Sequence, residues 1–95
     1  MAVLFPVGGI AEHITSPRKD SAKWSYRELQ QVVGGYFEVL FPLHRDDCRQ
    51  VLVVHEEGRL LGLPVNAEAT ELWRTWGGSN VLCGPVLLVK SSEIE

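Results

Sequence analysis

His55-Glu56-Glu57-Gly58-Arg59 begins as a zinc-protease helix does, with histidine followed by glutamate. That chemistry needs a second histidine four positions after the first, so that both imidazoles reach one metal from one helix face. Position 59 is Arg, and His55 closes a run with strand character, so the motif is not completed. His44, Asp46, Asp47 and Cys48 are all of metal-ligand type, yet they crowd one polar turn, whereas a metal site draws ligands from separated elements. Glu56 and Glu57 could be imagined as an acid and base pair. Neighbours on a strand point to opposite faces, however, and a solvated hairpin tip is the simpler account. Gly8-Gly9, Gly34-Gly35 and Gly77-Gly78 lack the strand-to-helix setting of a phosphate loop, and the last two follow helical patterns. The expectation is a non-enzyme with no catalytic residue, metal or cofactor.

Binding chemistry is harder to dismiss. Asn66 stands where a helix begins, and a helix start presents free N–H groups and a partial positive charge. Arg59 or Arg74 beside it would make an anion site; the competing account is an N-cap satisfying its own backbone. Trp73 and Trp76 fit a core stripe. Trp76, next to Gly77-Gly78, could instead show a face beside Arg74 that suits a base or a partner's side chain. Arg59, Asn66, Arg74 and Trp76 are thus the candidate ligand- or partner-binding residues. The basic residues Arg18, Lys19, Lys23 and Arg27 are interrupted by Asp20, and the chain's net charge is −3. Nucleic acid is therefore an unlikely partner, although this segment defines the rival reading of a small nucleic-acid-associated accessory protein.

The elements that must position these residues follow from pattern. With 45% hydrophobic and 22% charged residues, the 95-residue chain has the composition of one folding domain, expected over 1–95 with a tail at about 91–95 that frays. "VLF" and "IAEHIT" around "PVGG" read as a β-hairpin over 2–15. "WSYRELQQVVGG" reads as a helix: Ser25 and Glu28 form a capping box, Trp24 and Leu29 a hydrophobic staple, and Gly34-Gly35 the stop. "YFEVLF" and "QVLVVHE" should pair antiparallel. "EEGR" would then turn the chain into a strand "LLGL", with Gly58 at positive φ. Asn66 caps a second helix with Ala69, Leu72, Trp73 and Trp76 on one face. In "NVLCGPVLLVK", the Gly84-Pro85 break implies a bulge or a change of neighbour.

Taken together, "LQQVVGGYFEVL", "VLVVHEEGRLLGLPVN", "AT" and "GPVLLV", in that order from about Tyr26 to Val89, resemble the small domain family DUF3846. The resemblance implies a small α+β protein often carried by phages and other mobile elements, and brings no established activity, cofactor or catalytic residue. The loop at 16–23 and the tryptophan-rich second helix stand out as departures from the family.

The resulting expectation is α+β: a mixed or mostly antiparallel sheet of about five to six short strands, with both short helices on one face and packing centred on Leu29, Val33, Leu72 and Trp73. Strands apolar at successive positions would leave the other face bare, to be buried in a homo-oligomer, most simply a dimer, or beneath the N-terminal hairpin or the 16–23 loop. Cys48 and Cys83 read as free thiols, and "MAVLF" is too short for a signal core or a membrane span. This suggests a cytoplasmic protein, in the host cell if phage-encoded. The expected role is a non-catalytic accessory protein that binds a host protein or sequesters a small anionic ligand such as a nucleotide.

Overall fold

The structure, a computed structural model, describes residues 2–15, 23–43 and 49–94. Five strands, β1 (Ala2–Phe5), β2 (Glu12–Ile14), β3 (Phe37–Leu40), β4 (Gln50–His55) and β5 (Val86–Lys90), form one sheet in the order β2-β1-β5-β4-β3. Every neighbouring pair is antiparallel. Helix α1 (Tyr26–Val33) links β2 to β3, and α2 (Ala67–Thr75) links β4 to β5. The fold is α+β.

The two helices lie on opposite faces of the sheet, not on one. Leu29 and Val33 of α1 join Val51, Val53, Leu87 and Val89 in one core. Ala69 and Trp73 of α2 join Leu52, Val54 and Val86 in another. Successive strand residues face opposite ways, so these sets line the two sides of β4 and β5. The physical reason is the pair of central strands: Val51 to Val54 are all buried, and a strand apolar on both sides needs cover on both. One helix supplies each. The sheet face that a dimer would otherwise bury is therefore covered by α2 within the chain.

Local signals set the element ends. Ser25 Oγ accepts from the Glu28 N–H at 3.2 Å and Glu28 Oε1 accepts from the Ser25 N–H at 2.7 Å, closing the capping box. Gly34, at φ 87°, ends α1. Trp24 and Leu29 share the α1 core. After Gly84-Pro85 the neighbours do change, from a bridge between Cys83 and Val65 to the ladders of β5 with β1 and β4.

Between β4 and α2 the expected strand "LLGL" is replaced by a single helical turn. The Leu61 N–H donates to the Glu57 carbonyl at 2.9 Å, Gly62 to Arg59 at 3.2 Å and Leu63 to Gly58 at 3.0 Å. The last two bonds are those of a Schellman close, and they require a left-handed residue at position 62. Gly62 has φ 71°, and Gly58 is not among the positive-φ glycines. Gly58 is needed for a different reason: a Cβ there would sit 2.6 Å from the Cys83 carbonyl oxygen.

Residues 91–94, expected to fray, are docked. The Trp24 N–H donates to the Glu93 carbonyl at 2.6 Å, and the Ser91 N–H donates to the Arg49 carbonyl at 2.7 Å. Glu93 is buried and Ile94 packs against the α1 core. No described helix is long and apolar enough to cross a membrane.

Candidate functional site

Two antiparallel neighbours bring cations to one end of the sheet. Gln50, the first residue of β4, is paired with Lys90, the last of β5, so Arg49 and Lys90 emerge at the same end of the sheet. The Ser91–Glu93 turn follows at once, its Lys90 N–H donating to Glu93 Oε1 at 3.2 Å. From the α2 face comes the end of that helix, fastened by the Leu43 N–H to the Trp76 carbonyl at 2.7 Å. Between these segments lies a cleft of about 370 Å³ lined by Pro42, Arg49, Gln50, Trp76, Lys90, Ser91 and Ser92. This volume is within the range that accommodates small ligands. Its polar lining consists of a guanidinium, an ammonium, a primary amide and two hydroxyls, all capable of donating to an anion. Pro42 and Trp76 are buried and supply apolar floor.

A second cleft of about 80 Å³ lies at the far end of β4, among Glu38, His55, Glu56, Glu57, Arg59 and Asn80. It is too small for a nucleotide and is dominated by carboxylates. His55 Nδ1 accepts the Glu57 N–H at 3.0 Å. Among the described residues, no three of His, Cys, Asp and Glu gather as a metal would require.

The match to known proteins covers most of this architecture. A family model described as a domain of unknown function, DUF3846, matches residues 10–95. The chain belongs to the DUF3846 family. No curated protein matches it. No solved structure does either. The match is wider than the Tyr26–Val89 blocks, and takes in both the 16–23 loop and the tryptophan-rich α2, so both fall within the DUF3846 domain.

In this DUF3846 domain the four candidate residues do not form one constellation. Arg59 is exposed at the small acidic cleft. Arg74 is exposed on α2 and pairs with Glu71 at 3.1 Å. Asn66 caps α2 through Oδ1, accepting from the Ala69 N–H at 3.2 Å, and is only 2% exposed. Its Nδ2 donates to the Phe5 carbonyl at 2.7 Å and the Gly84 carbonyl at 3.0 Å, and its backbone N–H to Leu82 at 2.7 Å. These bonds tie α2, β1 and the segment before β5 together, and leave Asn66 no donor for a ligand. Trp76 alone of the four lines the large cleft, and it is buried rather than facing solvent. Trp73 is core, its indole N–H donating to Asn80 Oδ1 at 3.0 Å; a Cβ at Gly78 would overlap that ring.

Lys23 and Arg27 of the basic segment are exposed, while Arg18 and Lys19 lie outside the described residues. His44, Asp46, Asp47 and Cys48 lie outside them too. Sequence pattern missed the cleft because its lining comes from four separate segments. The signal was there in one respect: Arg49 just precedes one apolar strand and Lys90 ends another, and antiparallel pairing brings both to the same end of the sheet.

Proposed function

We propose that this protein is a non-catalytic, cytoplasmic accessory protein of a phage or mobile element, and that it takes up a small phosphorylated metabolite, such as a nucleotide, in the cleft between β4, β5 and the end of α2. The observation that carries the reading is the donor set: Lys90 and Arg49 with Gln50, Ser91 and Ser92 around one cavity of about 370 Å³. Phosphate oxygens are acceptors only, and charge-assisted bonds from ammonium and guanidinium groups are the strong ones. Gln50 and the two serine hydroxyls would read the uncharged part of the ligand. The phage and mobile-element setting rests on the family resemblance.

Calorimetric titration with inorganic pyrophosphate and with purine and pyrimidine nucleoside triphosphates tests it. Saturable binding is expected, weakened about tenfold or more by Lys90→Gln, the effect of removing one charge-assisted bond. Binding that is unchanged in Lys90→Gln, or absent for every phosphate compound, overturns the reading.

A further inference from the structure

We infer that the outer edge of β3 pairs with the same edge of a second copy of this chain, about a two-fold axis at Val39, joining two sheets into one. Strand order makes β3 an edge, and among the described residues it pairs only with β4. The direction of its backbone groups follows from one bond. The Glu56 N–H donates to the Tyr36 carbonyl at 2.9 Å, in register with the β3–β4 ladder, so Tyr36, Glu38 and Leu40 turn their polar groups toward β4. Phe37, Val39 and Phe41 consequently turn theirs outward.

Two arguments select a second copy as occupant. The first is register. Antiparallel partners share a sheet face, so a two-fold axis must pass beside a residue, and an axis near the middle of the four-residue strand, which pairs the most residues, passes beside Glu38 or Val39. An axis at Glu38 sets like carboxylates opposite each other, which is unfavourable. With the axis at Val39, Val39 meets the partner's Val39 with both backbone bonds exchanged, Phe37 meets the partner's Phe41, and Glu38 meets the partner's Leu40.

The second argument is the apolar surface beside that edge. Tyr26 (60% exposed) packs against Phe37 in a tilted arrangement with ring centroids 5.0 Å apart, and Phe41 is 48% exposed. Phe37 belongs to the α1 side, so the partner's Phe41 would arrive beside the Tyr26–Phe37 pair and extend it. On the α2 side, Tyr36, 66% exposed, would meet the partner's Pro42. A natural edge is usually blunted by charge or by brevity. The opposite edge, β2, is three residues long with Glu12 and His13 exposed. The β3 edge, four residues long, carries one exposed charge, Glu38, but is flanked by the exposed aromatics Tyr36 and Phe41. This surface repeats itself under a two-fold operation, which a closed dimer requires.

Amide hydrogen exchange and sedimentation equilibrium, across one dilution series in the micromolar range, test the pairing. Sedimentation should approach twice the 10.6 kDa of the chain at the concentrated end. Over the same range the Val39 and Phe41 amides should slow by about tenfold or more, while Glu38 and Leu40, already bonded to β4, change little. Phe41→Lys should return the mass to that of one chain with an unchanged far-ultraviolet circular dichroism spectrum. A mass of one chain throughout overturns the proposal. So does a dimer in which Val39 exchange is independent of concentration, since its contact would lie elsewhere.

Discussion

Replacing Asn66 separates a simple helix cap from a three-way junction. Asn66→Ala removes the Oδ1 bond to the Ala69 N–H, an interaction worth about 1 kcal/mol in a typical N-cap. It also strips the Phe5 and Gly84 carbonyls of the donor they share, at about 1–3 kcal/mol for each buried acceptor left wanting. The Phe5 bond is only part-buried, which favours the low end, so the sum is about 3 kcal/mol. That is a large share of the roughly 5–14 kcal/mol expected for a domain of this length. Asn66→Asp is the decisive partner experiment. It keeps the cap acceptor, so capping alone predicts little change. The junction predicts a loss at least as large as for alanine, because a carboxylate oxygen would face two carbonyl oxygens in a site with almost no water. Urea unfolding followed by tryptophan fluorescence reads both variants, since Trp24, Trp73 and Trp76 are all buried. The deficit of Asn66→Asp should shrink as pH falls, because burial with one oxygen against two carbonyls outweighs the single cap bond and raises the introduced carboxyl's folded pKa, and its protonated form can donate to one carbonyl. An Asn66→Asp protein within about 0.5 kcal/mol of the parent at neutral pH would refute the junction.

Two further outcomes are expected. Gly62→Ala places a Cβ in open space at φ 71° and should cost about 1 kcal/mol, whereas Gly58→Ala, with ordinary φ but a carbonyl oxygen 2.6 Å away, should cost about 2–3 kcal/mol; the reverse order in urea midpoints would contradict the turn geometry. Deleting residues 91–95 removes the backbone bond to Trp24 and the packing of Ile94, so the melting temperature should fall by about 10 °C or more, and an unchanged melting curve would show the tail to be dispensable.

Much of the fold is legible locally because its boundaries are made by local chemistry. Ser25 with Glu28, Gly34, and Asn66 with Ala69 each satisfy backbone groups within a few residues, so the helices can be placed from sequence. The side on which each helix packs is different, since it depends on the path between strands that are distant in sequence. Val51 to Val54 do state that both faces are apolar. They do not state whether the second cover is another molecule or α2. "LLGL" misleads for a related reason: apolar content suggests a strand, but Leu60 is 86% exposed, and the backbone geometry is decided by Gly62 and the approach of Cys83 to Gly58. For the candidate cleft, residues from 42 to 92 converge only once β4 and β5 are in register, so no short motif could announce it.

The central position of β5 has a consequence for how this chain comes into being. β1–β2 and β3–β4 are successive hairpins with no ladder between them, and β5 alone bonds to both. A two-stranded ribbon is marginal in water, so until β5 has left the ribosome there are two ribbons and two unsupported helices, but no sheet. The ladders of β5 with β1 and β4 close the long loops of the sheet, and such non-local pairing is slow. During that interval β1 and β4 present open edges, and β4 is apolar on both faces. A nascent chain that stalls before Val86 therefore exposes the segment best suited to pairing with its neighbours, making timely arrival of β5 a guard against aggregation as well as the step that joins the two ribbons into one sheet.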